Sequence, residues 1–263
     1  MSRQNYYKGR SRRRRQEVDE ALVVELIRRE RCIQPMLGGR KLLHLIRPEL
    51  KKAGVRIGRD CFFALLFRHD LLIARKRNRC RTTNSWHGFR VYRNLLKGRE
   101  LTGANQAWVS DITYIRTRRG FVYLALVMDA FSRAIVGFDC SDTLESAGAL
   151  RALRMAIRTL PEGTPPPIHH SDRGSQYCCK AYVGLLKKCG LAISMTEENH
   201  CYENAQAERL NGILKQEYGL GGRLADTKQA RKSVREAVDL YNHRRPHEAL
   251  DYDFPMRVHH AAA

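Results

Sequence analysis

The sequence predicts a mixed α/β domain, with helices packed on a sheet that begins antiparallel, behind a strongly basic helical segment. Three observations carry that reading. From residue 105 onward the hydrophobic pattern alternates between period two and helical spacing, in the order βββαβαβα and then a last helix. Residues 1–100 hold 27 Lys or Arg against 9 Asp or Glu, while residues 101–263 hold 21 against 18, so most of the net charge of +21 lies in front. Apolar residues make up 43 % of the chain, enough for a core and too many for a disordered tail.

A front half of that charge predicts a polyanionic partner, and nucleic acid is favoured because Lys and Arg release counterions from phosphates. A ribosome-like protein or an anionic membrane surface would also suit a basic chain. Neither accounts for a neutral, well-patterned second half. No stretch approaches the roughly 18–20 apolar residues of a membrane span. The basic start, MSRQNYYKGRSRRRRQE, has no apolar run after it, so no secretory leader is expected. The eight irregularly spaced cysteines are then expected as reduced thiols in the cytoplasm.

Residues 1–16 form a basic arm, whose Arg12, Arg13, Arg14 and Arg15 are expected to touch DNA backbone only. Residues 17–74 are expected as a helical domain. EVDEALVVELIRRER places Ala21, Val24, Leu26 and Ile27 at helical spacing, and RKLLHLIRPELKKAG forms a second helix. Pro48 should kink that helix or end it near Arg47. Gly54 and Gly58 bracket a short turn, and RDCFFALLFRHDLL makes a third helix with Phe62, Leu65, Leu66 and His69 on related faces. Helix, short turn and helix in a basic context resemble a helix-turn-helix module, with a plain helical hairpin as the alternative. Residues 75–104, opening with Arg75, Lys76 and Arg77, are expected as a DNA-tracking linker too basic and irregular to form a core.

The α/β part, 105–225, opens with QAWVSDITYIRT, FVYLALVMDAF and RAIVGFDC, three strands of which the first two form a hairpin. Residues 145–160 are a helix, PIHHS a strand, QYCCKAYVGLLKKCG a helix closed by Gly190, LAISMT a strand, and ENAQAERLNGILKQEY a helix. A last helix, TKQARKSVREAVDLYNH, leads residues 226–263 into the YNHRRPHEAL tail.

Three acids stand out by position. Asp111 falls inside an apolar strand, where a charge is costly unless paired or bound to a cation. An edge position or a pairing with Arg116 is the plainer account. Asp172, in HSDRGSQY, ends the fourth strand, where α/β folds tend to place their sites; alone it is an ordinary turn residue beside Gly174, which lets the chain bend. Glu208 shares a helix face with Asn204, Asn211 and Lys215, and alone is a solvated glutamate. Together the three carboxylates would repel one another without counter-charge. All-oxygen ligation of that kind suits Mg²⁺ or Mn²⁺. His169, His170, Cys178 and Cys179 are adjacent pairs with the wrong spacing for zinc, and are expected as packing and turn residues.

WVSDITYI, VMDAFSRAIVG, HSDRGSQY, YENAQAERLNGILKQE and YNHRRPHEAL resemble, in that order, the blocks of integrase-type transposases. The match is to the OrfB-type DDE transposases of the IS-three insertion-sequence family, and GGRKLLHLI through LLIARKR resembles that family's N-terminal segment. The resemblance implies a ribonuclease-H-like integrase core with a mixed five-stranded sheet and flanking helices. It implies a catalytic and metal-binding triad of Asp111, Asp172 and Glu208 holding two Mg²⁺ ions, replaceable by Mn²⁺, for DNA cleavage and strand transfer at the element's ends. It also implies that Lys215 contacts terminal DNA, and that Asp129, Arg133, Gln176, Asn204 and the Tyr241–His247 stretch, with Arg244, Arg245 and His247, support the site or bind DNA. The expected partners are double-stranded DNA (terminal inverted repeats and target), further copies of the chain on that DNA, and an upstream-frame OrfA product. The expected setting is the bacterial cytoplasm. A non-catalytic DNA-binding regulator and a ribonuclease-H-type nuclease are the alternatives.

Overall fold

The structure is a computed structural model that describes residues 19–73, 88–197 and 204–262. The chain divides into two compact units, Met1–Lys76 and Arg77–Ala263. In the first, α1 (19–33), α2 (Gly39–Lys52) and α3 (Arg59–Arg68) close one small core. Val23, Val24, Leu26 and Ile27 pack with Leu42, Leu43, Ile46 and Leu50 and with Phe62, Leu65 and Leu66, while Ala21 is exposed. Of the two outcomes expected at Pro48, an end near Arg47 does not occur: α2 runs on through the proline to Lys52. The buried Leu50 beyond the proline extends the same apolar stripe, and its packing outweighs the one backbone bond that proline forfeits. Gly54 then takes φ +73, a left-handed value that ends the helix. His69 caps α3 and meets Glu20 of α1 at 2.8 Å.

The second unit is built on a sheet. Its strands are β1 (Ala107–Thr117), β2 (Gly120–Asp129), β3 (Ile135–Ser141), β4 (Ile168–Ser171), β5 (Ala192–Met195) and a two-residue β6 (Arg223–Leu224). The order is β3-β2-β1-β4-β5, with β6 also on β1. The first three strands are antiparallel, and β4, β5 and β6 join in parallel. The five expected strands are therefore present; β6 is too short to leave a periodic signal.

Alternating side chains of β1 and β2 feed two cores. On one face Trp108, Ala125 and Val127 pack under α4 (Ser146–Arg158), α5 (Ser175–Cys178) and α6 (Lys180–Lys188). On the other, Val109, Leu124, Leu126 and Met128 pack under α7 (Ala205–Glu217) and α8 (Thr227–His243). Gly137 permits the close seat of α4 on β3: a Cβ there would fall 2.2 Å from the Ala152 carbonyl oxygen.

Two expectations change. The helix expected from Gln176 to Gly190 is two helices, because Cys179 is extended (φ −66, ψ 151) and serves as the last cap of one and the first cap of the next. That break lets Tyr177 and Cys178 as well as Tyr182 and Leu186 reach the core. Second, residues 88–104 are irregular but not detached. Leu96 and Leu101 pack against one core and Tyr92 against the other, and the Asn94 and Leu95 amides donate to Glu197 and Ser194. Beyond α8, the tail forms a 3₁₀ turn (Glu248–Leu250) and α9 (Pro255–Ala261).

Candidate active site

The parallel ladder between β1 and β4 ends at the pair Ser110 and Ser171. Asp111 and Asp172 are the next residues on the two strands, so their backbones leave the ladder side by side, at about the 4.8 Å spacing of neighbouring strands. β4 stops there, and β6 takes up the same edge of β1 only from Arg116 onward. The two acids thus stand at the start of a gap in that edge, beyond the carboxyl end of β4.

Each carboxylate is held from its own side. Asp111 Oδ1 accepts from the Ile112 amide at 2.9 Å, and Oδ2 accepts from Asn211 Nδ2 of α7 at 2.7 Å. Asp172 Oδ1 accepts from the Gly174 amide at 2.9 Å. Gly174 was expected to supply a bend, but its φ of −60 is open to any residue. Its small size is what matters, since a Cβ there would lie 3.0 Å from Asp172 Oδ1 and 3.1 Å from Gln176 Oε1. Glu208 lies in the first turn of α7, exposed. The start of α7 is tied to β1 by Asn204, whose Nδ2 donates to the Ser110 carbonyl at 3.3 Å.

The three acids sense one another. Burial, then Asp172, and to a smaller extent Glu208 push the Asp111 carboxyl up to about 7, against the opposing bonds from Ile112 and Asn211. Desolvation and Asp172 raise Glu208 as well. Among the described residues, no three His, Cys, Asp or Glu side chains are placed to hold an ion as they stand. The donor chemistry nevertheless fits a divalent cation: three oxygen-only carboxyl groups, mutually repelling, with no Lys or Arg bonded to Asp111 among its partners.

The other expected residues divide. Gln176 Nε2 donates to the Leu144 carbonyl at 3.0 Å, bracing the loop that follows Asp172. Lys215 is half-buried and lies two turns past Glu208 on α7. Asp129, fully buried, accepts from the Ser132 amide and hydroxyl at 2.7 Å each and from the Asn105 amide at 2.8 Å. Burial would raise its carboxyl, but His259 of α9 and those donors hold it below the usual carboxylate range. It is a turn anchor, and Arg133 beside it takes φ +64. His247 shapes the tail through its backbone, which pairs with Asp253. Arg244 is exposed.

Arg245, expected among the DNA-contacting residues, is placed otherwise. Its side chain is 2 % exposed and bonds Glu217 with two nitrogens, at 2.7 and 2.9 Å, with its guanidinium over the Tyr241 ring. Arg12, Arg13, Arg14, Arg15, Arg75, Lys76 and Arg77 lie outside the described residues. Of the residues that matter most here, Asn211 was visible as a member of the Glu208 face but had no assigned role. His169 was expected to pack, and it does: its Nε2 lies 2.8 Å from Ser110 Oγ and 2.9 Å from the Tyr182 hydroxyl, and burial pushes the ring down to about 3.

A sheet in this order, with helices on both faces and acids at the end of the β1–β4 ladder and on α7, defines the class: a ribonuclease-H-like integrase core. Family comparison agrees. Residues 102–201 match one integrase core domain family and residues 189–255 a second. A 31 kDa protein of insertion element IS600 from Shigella sonnei is 35 % identical, over 90 % of this chain and 86 % of its own length. The transposase of insertion sequence element IS629 from Shigella sonnei is 34 % identical, over 81 % of this chain and 71 % of its own. Transposase InsF of insertion sequence IS3A from Escherichia coli K12 is 38 % identical, over 61 % and 56 %. In fold, the chain is similar to one in the simian T-cell lymphotropic virus intasome solved with the PP2A regulatory subunit B56 gamma, with a TM-score of 0.50 and 19 % identity over 85 % of this chain and 70 % of that one. The chain belongs to the insertion-sequence transposases of the IS-three family, which carry this integrase core.

Proposed function

We propose that this protein cuts DNA at the ends of an insertion sequence and joins those ends to a target strand, by phosphoryl transfer without a covalent enzyme intermediate. The observation that carries the reading is the paired exit of Asp111 and Asp172 from one parallel ladder, with Glu208 of α7 near enough for its charge to act on Asp111. Asp111, Asp172 and Glu208 would hold two Mg²⁺ ions, with Mn²⁺ able to substitute. Bound there, the metal supplies Lewis-acid stabilisation of the leaving 3′ oxygen and a more acidic attacking water or 3′-hydroxyl.

The chain's own residues set up that chemistry. The Ile112 amide and Asn211 fix the orientation of the Asp111 carboxylate and favour its charged form. The Gly174 amide does the same for Asp172. Asn204 fixes the entry of α7, and with it the position of Glu208. Lys215 and Arg244, together with the basic residues of the arm and linker, would engage DNA phosphates. Arg245 is left out of that set because Glu217 already takes its guanidinium. Two element ends require two active sites, so a homo-oligomer assembled on DNA is expected, with an upstream-frame OrfA product as a further partner. The site of action would be the bacterial nucleoid; among the described residues no helix is long and apolar enough to cross a membrane.

The test is incubation of pre-cut terminal DNA and target DNA with the protein and Mg²⁺. Joined products support the proposal. Nicking of an RNA–DNA hybrid without joining would mark a nuclease, and binding without either would mark a regulator.

A further inference from the structure

We infer that the outer end of the β1–β2 hairpin is a stacking platform for a nucleobase that has left the duplex bound at the carboxylates. This rests on the reading that the chain acts on DNA. Tyr114 lies opposite Tyr123 in the hairpin, and Arg116 lies opposite Phe121. The rings form one run, with centroids 5.1 Å apart for Tyr114 and Tyr123 and 6.2 Å for Tyr114 and Phe121, both edge to face. None of the three belongs to either packed core of the unit. Phe121 is 53 % exposed, so beyond its edge contact with Tyr114 about half of the ring is open to solvent.

The surroundings specify the occupant. Residues 112–127 contain Arg116, Arg118 and Arg119 and no acid, and all three arginines are exposed. Aromatic rings flanked by free guanidinium groups suit a nucleotide, with the base on a ring and the phosphate on an arginine. An apolar protein surface would leave that charge uncompensated. A base inside a duplex has no free face, so only an unpaired one can use such a platform.

Position ties the platform to the reaction. Tyr114 is near enough to Asp172 for the acid's charge to help raise its hydroxyl. Strand alternation turns Tyr114 to the opposite face from Asp111, around the edge that β4 leaves open. A duplex is too wide to turn that edge, whereas a single nucleotide is not. The platform would therefore take a base next to the reacting phosphate and hold the strand open there.

The test uses the full chain and pre-cut terminal DNA carrying 2-aminopurine at successive unpaired positions. Wild-type protein and Phe121→Trp should quench the fluorescence at one position, and Phe121→Leu should not. Phe121→Leu should also weaken binding of a single-stranded oligothymidylate by roughly five- to a hundredfold, with duplex binding changed by less than about twofold. Because Phe121 is exposed, its thermal melt should match the wild type. Equal quenching by Phe121→Leu would overturn the proposal, as would an equal loss on duplex and single strand. So would unchanged DNA binding with lost self-association, which would make the patch a protein interface. The binding arm needs no catalysis. Quenching without joined product would count against the strand-transfer reading alone, and joining without quenching against the platform alone.

Discussion

Asn211 donates from Nδ2 to Oδ2 of Asp111 at 2.7 Å, joining α7 to the middle of β1 at a carboxylate that burial and its acidic neighbours push up to about 7. The bond favours the charged form of a group that burial and its neighbours drive toward neutrality. Asn211→Leu should therefore lower strand-transfer activity by about 10- to 100-fold. The rising limb of its pH–rate profile should move to higher pH, which simple loss of folding would not do. An unmoved profile would remove Asn211 from this role.

The Asp111 carboxyl, held at about 7, predicts how pH acts on cation binding. Between the usual carboxylate range and about 7 the folded protein binds a proton that the unfolded chain does not, so cation-free stability falls as pH rises through that window. Below about 7 a cation must displace that proton. Mg²⁺ should then raise the Tm little at pH ~5.5 and clearly at pH ~8, and Asp111→Asn should abolish the difference. A stabilisation independent of pH would contradict a cation seated on Asp111.

Arg244 and Arg245 are adjacent in the chain but differ in exposure, Arg244 open to solvent and Arg245 buried against Glu217. Arg245→Ala strands Glu217 in a mostly buried pair and should cost about 3 kcal/mol, read as a lower urea midpoint. DNA affinity should fall steeply with salt, and Arg244→Ala should reduce the log–log slope by about 1.

Asp129 predicts behaviour in acid. Its carboxyl is depressed when folded, so its contribution is present above the usual carboxylate range and is lost as pH falls through the depressed value. Asp129→Asn should lose on the order of 2 kcal/mol at neutral pH and flatten the acid limb of the stability curve. Urea melts from pH ~2 to ~7 would show it.

Periodicity carries most of the fold. β1 and β2 read as near-continuous apolar runs because each has a core on both faces, and the neighbours Trp108 and Val109 pack on opposite sides of one sheet. The break at Cys179 was legible only as a mismatch, since on one continuous helix Tyr177 and Leu186 would face opposite sides, yet both reach the same core. Pro48 does not end α2, because the packing of Leu50 beyond it outweighs the local preference. In the site, the three acids stood out by type and position. The partners did not: nothing in the sequence separates Arg245, turned inward to Glu217, from Arg244, turned outward, and Asn211 acquires its role only when α7 lies across β1.

Asp111, Asp172 and Glu208 should act as one site for phosphoryl transfer on DNA. The most direct measurement is strand transfer of pre-cut terminal DNA into a target with Mg²⁺, comparing wild type with Asp172→Ala alongside a DNA-binding assay. The expected result is joined product from the wild type, none from Asp172→Ala, and nearly equal DNA binding by both. Joined product from Asp172→Ala at the wild-type level would contradict it.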